Sequence, residues 1–117
     1  MSEATMKRLN LGFRFVLEML VLVALFLFGL GLSDEPLIAV PLALMLPALV
    51  MIVWGLFVAP KASRRLEDPV RLVVELLIWF VGVLAFGFAV GWILAILFGM
   101  AVFINLGLMF YWGQRGA

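Results

Sequence analysis

Four long apolar segments dominate this chain, and each is about as long as a helix must be to cross a membrane. They cover residues 10–32, 37–58, 69–89 and 92–113. A helix rises about 1.5 Å per residue, so about 20 residues cross the roughly 30 Å of hydrocarbon in a bilayer. The sequence therefore predicts an all-α fold in which residues 1–117 form one domain of four transmembrane helices.

The composition indicates that lipid is the solvent for most of the chain. Of its 117 residues, 68% are hydrophobic and 13% are charged, whereas a soluble domain typically carries about 25% charged residues. Histidine and cysteine are absent, which excludes thiol nucleophiles and metal sites built on imidazole or thiolate. We expect no enzyme, no metal site and no cofactor. We also expect no nucleic-acid binding, because the basic residues flank the spans.

The basic residues predict how the helices are oriented. The N-terminal region, the central loop at residues 59–68 and the C-terminus lie on one side of the predicted spans, and that side carries every lysine and arginine of the chain: Lys7, Arg8, Arg14, Lys61, Arg64, Arg65, Arg71 and Arg115. The opposite side carries only Asp34 and Glu35. Because positive charge is retained in the cytoplasm, we expect both termini and the central loop to be cytoplasmic.

A short stretch of sequence occurs twice. The segment RFVLEML at residues 14–20 matches RLVVELL at residues 71–77, and the pair Trp-Gly occurs at residues 54–55 and again at 112–113. Each copy covers one helical hairpin. Two hairpins in tandem have the same orientation, so the sequence predicts a pseudo-two-fold axis along the membrane normal.

Each copy of the repeat contains an arginine and a glutamate four residues apart, Arg14 with Glu18 and Arg71 with Glu75. This spacing places both charges on one helix face. The uncharged remainder of the first span, residues 19–32, would form only about 21 Å of helix. Both glutamates are therefore expected to lie below the headgroups, with their arginines reaching back toward the surface.

We term the level of these two arginine–glutamate pairs the polar layer, and further residues are expected to extend it. Asn105 is expected about 10 Å inside the inner interface, at a depth similar to that of the glutamates. Trp79 follows Glu75 by one helical turn, which would direct its indole N–H at the same layer. Pro41 and Pro47 predict kinks in the second span, and Pro47 would free a backbone carbonyl near the layer.

One family resembles the chain in these features. The segment WGLFVAPKASRRLEDPVRLVVELL at residues 54–77, together with LGFRFVLEML at residues 11–20, resembles the YrdB-like family of small bacterial membrane proteins. That family combines a W-G-x-F-x-A-P-K motif, a basic loop, D-P and R-x-x-x-E. The resemblance implies a four-span protein of the bacterial cytoplasmic membrane and brings no established activity with it.

Two functions fit the polar layer. In one, Arg14, Glu18, Arg71, Glu75, Asn105 and Trp79 form a site for transport or permeation of a small solute, coupled to a proton or cation. In the other, each arginine–glutamate pair is a structural clasp, within one helix or across the pseudo-two-fold axis, in an accessory subunit of a larger membrane complex. The partners would be the lipid bilayer with further copies of the chain or other membrane subunits. We favour transport, because two carboxylates and an amide are expected at one depth.

Overall fold

The computed structural model describes residues 1–116 and contains four α-helices. They are α1 (Glu3–Leu30), α2 (Pro36–Val53), α3 (Val70–Ala89) and α4 (Trp92–Tyr111), and a π-helical segment (Trp54–Val58) continues α2. Each of the four is long and apolar enough to cross a membrane. The predicted all-α fold with four helices of membrane-spanning length is therefore confirmed.

Helix α1 is the longest element and is longer than a hydrocarbon core is thick. The hydroxyl of Ser2 accepts a hydrogen bond from the backbone N–H of Thr5 at 3.2 Å and caps the helix start. The 28 residues of α1 form about 42 Å of helix, which exceeds the roughly 30 Å of a hydrocarbon core. Its first turns therefore carry Lys7 and Asn10 on the same rigid helix as Arg14.

Close helix packing joins α1 to α2 at the end away from the basic residues. A Cβ atom added to Gly29 would lie 2.6 Å from the Cα atom of Ala43, which is nearer than real Cβ contacts come. Glycine at position 29 thus allows the two backbones to touch. In the other hairpin, Gly91 has a φ of 151° and forms the turn between α3 and α4.

Helix α1 lies at the centre and packs against each of the other three helices. The buried core is formed by residues of α1, α3 and α4. They are Leu17, Val21, Ala24 and Leu25 of α1, Ile78, Trp79, Ala85 and Phe86 of α3, and Ala95, Phe98 and Val102 of α4. Large apolar side chains also cover the outside, and Leu37 and Ile93 are at least 80% exposed. Lipid tails solvate such a surface without penalty.

Helix α2 remains α-helical through Pro41 and Pro47. Neither proline divides it into two half-helices, and a kink at either position stays a prediction. After α2, the backbone N–H of Ala59 donates to the carbonyl of Trp54 at 2.8 Å and closes the wider π turn.

The central loop and the C-terminal tail both fold back on the helix ends. The backbone N–H of Arg64 donates to the carbonyl of Leu56 at 3.0 Å, which satisfies a carbonyl at the end of the π-helical segment. At the end of α4, Gly113 has a φ of 65° and turns the chain. This left-handed turn brings Gln114 and Arg115 back toward α1 and α3.

Candidate functional site

Six charged side chains form what we term the ionic cluster, and Glu75 is its centre. One carboxylate oxygen of Glu75 accepts a hydrogen bond from Arg14, and the other accepts one from Arg115. The Glu75 side chain is only 3% exposed, so its charge is balanced by guanidinium groups and not by water. The cluster comprises Arg14, Glu18, Asp68, Arg71, Glu75 and Arg115.

Arg14 links the two glutamates and is held by two aromatic rings. Besides its bond to Glu75, its Nε atom lies 3.4 Å from Oε1 of Glu18. Its guanidinium carbon is 5.5 Å from the ring centroid of Trp54 and 5.7 Å from that of Trp79. Such cation–π contacts favour a charged group at this distance. Arg14 therefore contacts two carboxylates and two aromatic rings.

Arg71 lies at the edge of the cluster and has different partners from Arg14. It donates to Oδ2 of Asp68 at 3.1 Å and to the backbone carbonyl of Arg115 at 3.0 Å. Asp68 also accepts a hydrogen bond from Nη2 of Arg115 at 2.6 Å. Within residues 1–116 Arg71 makes no ion pair with Glu18, so of the two possible cross-pairings only that of Arg14 with Glu75 is formed.

Next to the ionic cluster, three buried amide side chains form a second group, which we term the amide cluster: Asn10, Asn105 and Gln114. Nδ2 of Asn105 donates to Oδ1 of Asn10 at 2.9 Å, and Nδ2 of Asn10 donates to Oε1 of Gln114 at 2.9 Å. Gln114 in turn donates to the backbone carbonyl of Lys7 at 3.0 Å. The amides thus link α1, α4 and the tail that follows α4, and the hydrogen-bond partners of each amide are other protein groups.

The structure brings only part of the predicted site together. Arg14, Glu18 and Glu75 meet, and the ring of Trp79 packs beneath Arg14, but the Trp79 indole N–H has no hydrogen-bond partner among residues 1–116. Asn105 bonds to Asn10, which lies one turn before Arg14 in α1. The amide is therefore nearer the helix start than the predicted common level.

Four residues of the two clusters were missed at the sequence level: Asn10, Asp68, Gln114 and Arg115. Asn10 had a usable signal, because it continues the four-residue spacing of Arg14 and Glu18 on one face of α1. The tail residues had none. Their positions depend on the left-handed turn at Gly113, and the lone glycine did not specify that turn.

Two neighbouring cavities have Glu18 and Trp54 in common as lining residues. The first, which we term the polar cleft, has a volume of about 380 Å³ and is lined by Arg14, Glu18, Arg65, Glu75 and Arg115 together with Leu11, Phe15, Trp54, Val58, Ala59 and Pro60. The second, the apolar cavity, has a volume of about 190 Å³ and lies between α1, α2 and α3. Glu18 and Trp54 line both cavities.

Positive charge exceeds negative charge in the polar cleft. Three arginines line it, against the carboxylates of Glu18 and Glu75. Arg65 donates to the backbone carbonyls of Val58 and Arg115, and no carboxylate among residues 1–116 forms an ion pair with it. Desolvation and the nearby Arg71 charge lower the pKa of Arg65, although a guanidinium remains protonated at neutral pH.

The four apolar helices and the lipid-compatible surface define a multi-pass membrane protein. A family model described as "Protein of unknown function (DUF2568)" matches residues 12–104, and the chain belongs to this family. The expectation of an uncharacterised family is thereby confirmed, without a link to YrdB-like proteins in particular. No curated protein matches the chain, and no solved structure does. The matched range contains Arg14, Glu18, Arg71 and Glu75 but ends one residue before Asn105.

Proposed function

We propose that the protein is a non-catalytic membrane protein that moves a small solute through the polar cleft and the apolar cavity, with Glu18 as the ionisable group between them. The observation that carries this proposal is the position of Glu18 on the wall of both cavities. A carboxylate inside a membrane typically marks the path of an ion, a proton or a solute. The surplus of guanidinium groups in the cleft favours a proton over a metal cation as the coupling ion.

Glu18 is better placed for this role than Glu75. Glu75 is held by two arginines and is almost fully buried, so its charge is already compensated. Among residues 1–116, Glu18 forms one ion pair, with Arg14 at 3.4 Å, and 23% of its side chain is exposed. It can therefore gain or lose a proton with less disturbance of the fold.

Flux measurements with purified protein in vesicles test this role. Vesicles containing the wild type should acidify when a proton gradient is imposed, and Glu18→Gln should abolish that flux while the protein stays folded. Glu3→Gln is the matched control, because Glu3 lies at the exposed start of the same helix. A Glu18→Gln protein that folds and carries wild-type flux would exclude Glu18 as the coupling group.

The membrane orientation belongs to the same proposal: both termini and the central loop in the cytoplasm of a bacterial cell. All basic residues fall on that side of the predicted spans. The chain has no cysteine, so single cysteines report position without background. Ser63→Cys in the central loop should react with an impermeant maleimide only after permeabilisation, whereas Ser33→Cys in the opposite turn should react in intact cells. The reverse pattern would invert the orientation.

One observation favours a second function, that of an accessory subunit. The Glu75 contacts link α1, α3 and the tail, which is what a purely structural clasp requires. An accessory subunit should co-purify with stoichiometric partner subunits after gentle detergent extraction. The transport proposal expects the chain alone, or several copies of it, to carry the flux, and reconstitution of the isolated chain decides between the two.

A further inference from the structure

Two arginines that line the polar cleft have guanidinium N–H groups without an acceptor among residues 1–116. Nη1 of Arg14 and Nε of Arg115 are buried and have no hydrogen-bond partner among residues 1–116. Their side chains are only 8% and 9% exposed, so little of either guanidinium group reaches bulk water. A buried charged donor without an acceptor is costly, and such a donor in a cleft indicates a bound group.

The net charge of the cleft indicates the sign of that group. Three arginines and two carboxylates line the cleft, and Arg65 is bonded to backbone carbonyls. When the adjoining Arg71 and Asp68 of the ionic cluster are included, four arginines stand against three carboxylates. An added anion would balance the remaining positive charge and accept from the free N–H groups. A bound cation would instead add to this excess of positive charge.

The geometry of the donors limits the class of anion. Guanidinium groups present several N–H donors in a plane, and they match the oxygens of phosphate better than those of a single-oxygen anion. We propose that the polar cleft binds a phosphate-type oxyanion, either free or as the headgroup of a lipid. The volume of about 380 Å³ leaves room for a substituent on the phosphate.

The wall of the cleft also bears on where the phosphate comes from. Leu11 and Phe15 line it on α1, and Phe15 is 58% exposed on the outer surface of the bundle. In a bilayer, an exposed apolar wall of this kind would face the acyl chains. A lipid phosphate can thus reach the cleft from the membrane, and a soluble phosphate can reach it from water.

That the oxyanion is the transported solute rests on the proposed function. Its binding to the cleft can be measured without any flux. Lipid and inorganic phosphate are tested separately to distinguish the two sources. Phosphatidylglycerol and phosphatidylcholine are offered to the purified protein in detergent, and retained lipid is counted by native mass spectrometry. Inorganic phosphate is titrated while the tryptophan emission is followed, because Trp54 lines the cleft. Saturable binding of inorganic phosphate, or of phosphatidylglycerol in preference to the zwitterionic phosphatidylcholine, supports the oxyanion site and identifies the source. Equal retention of the two lipids without phosphate binding would contradict it.

Variants locate the binding in the cleft. Arg65→Gln should weaken it about tenfold, the loss expected for one charge-assisted contact. Arg64→Gln is the matched control, because Arg64 is the exposed neighbour and does not line the cleft, and its effect should stay within about twofold. Glu18→Gln removes a negative charge from the wall and should tighten binding about threefold, whereas the proposed function expects it to abolish flux.

Three further results would overturn the oxyanion site: binding of neither lipid nor inorganic phosphate, equal losses in Arg65→Gln and Arg64→Gln, or weaker binding in Glu18→Gln. Equal losses would mean attraction to the basic surface only. Oxyanion binding that follows these expectations without any flux would remove the transport proposal and keep the site. Flux without oxyanion binding would do the reverse.

Discussion

The two halves of the molecule contain the same arginine–glutamate spacing and use it in opposite ways. In the first half (α1 and α2), Arg14 is buried between two tryptophans and Glu18 keeps 23% of its side chain exposed. In the second half (α3 and α4), Glu75 is buried beneath two arginines and Arg71 turns to the loop. The spacing therefore sets the helix face and the depth of the charges, and the surroundings decide which charge is enclosed.

The surroundings differ because Asp68 and Arg115 occur in one half only. Asp68 holds both Arg71 and Arg115, and at the positions that the repeat assigns to them the first half has Leu11 and Phe57. Arg71 is drawn outward by Asp68, and Glu75 receives Arg115 from the tail. The two copies of the arginine–glutamate spacing thus contain one buried carboxylate and one partly exposed carboxylate.

The largest effect should come from replacing the enclosed carboxylate. Glu75→Gln leaves Arg14 and Arg115 with uncompensated buried charge, and it should lower the free energy of unfolding by about 3–5 kcal/mol. Glu18→Gln, the equivalent change in the first half, should cost about 1 kcal/mol or less because Glu18 is partly exposed. Unfolding in mixed detergent micelles measures both. Equal losses would mean that the two halves do not differ in this way.

The arginines should show the opposite ranking. Arg14→Gln removes the contacts with both glutamates and both tryptophan rings and should lower the free energy of unfolding by about 3 kcal/mol. Arg71→Gln loses its bonds to a half-exposed Asp68 and to backbone carbonyls, at about 1–2 kcal/mol. The same unfolding experiment ranks the pair. A larger loss in Arg71→Gln would mean that the contacts of Arg71 with the loop stabilise the fold more than those of Arg14.

Much of the fold could be predicted from the sequence, because a lipid environment allows few ways to satisfy the backbone hydrogen bonds. Apolar segments of about 20 residues leave few alternatives to spanning helices, and the helices at residues 3–30 and 70–89 contain the predicted arginine–glutamate faces. The partners of those charges could not be predicted in the same way. The bond of Arg14 to Glu75 joins residues on different helices, and that of Glu75 to Arg115 depends on how the tail turns after α4. The spacing of residues within one helix predicts neither of these two contacts.

A third difference between the halves lies in the amide cluster. Asn105 is 1% exposed and donates to Asn10, whereas the repeat places Pro47 at the equivalent position of α2. Asn105→Ala would leave the Asn10 side chain without its donor and should lower the free energy of unfolding by about 1–3 kcal/mol. Pro47→Ala, the matched change in the first half, restores a helical N–H donor and should cause no loss. A loss in Pro47→Ala that matches the one in Asn105→Ala would argue against a special role for the amide.

The smallest effect should come from Trp79, where the second half has an indole and the repeat gives the first half Leu22. The Trp79 N–H is buried without a partner among residues 1–116, so replacing it removes no hydrogen bond. Trp79→Phe keeps a ring beneath Arg14 and loses some packing area and cation–π attraction, which should lower the free energy of unfolding by only about 1 kcal/mol. Trp79→Leu is the stricter variant, because it removes the ring face toward Arg14 and the edge contact with Trp54 at 5.7 Å. If Trp79→Phe were as damaging as Trp79→Leu, the indole N–H would have an acceptor in the membrane, and the donor would belong to the site after all.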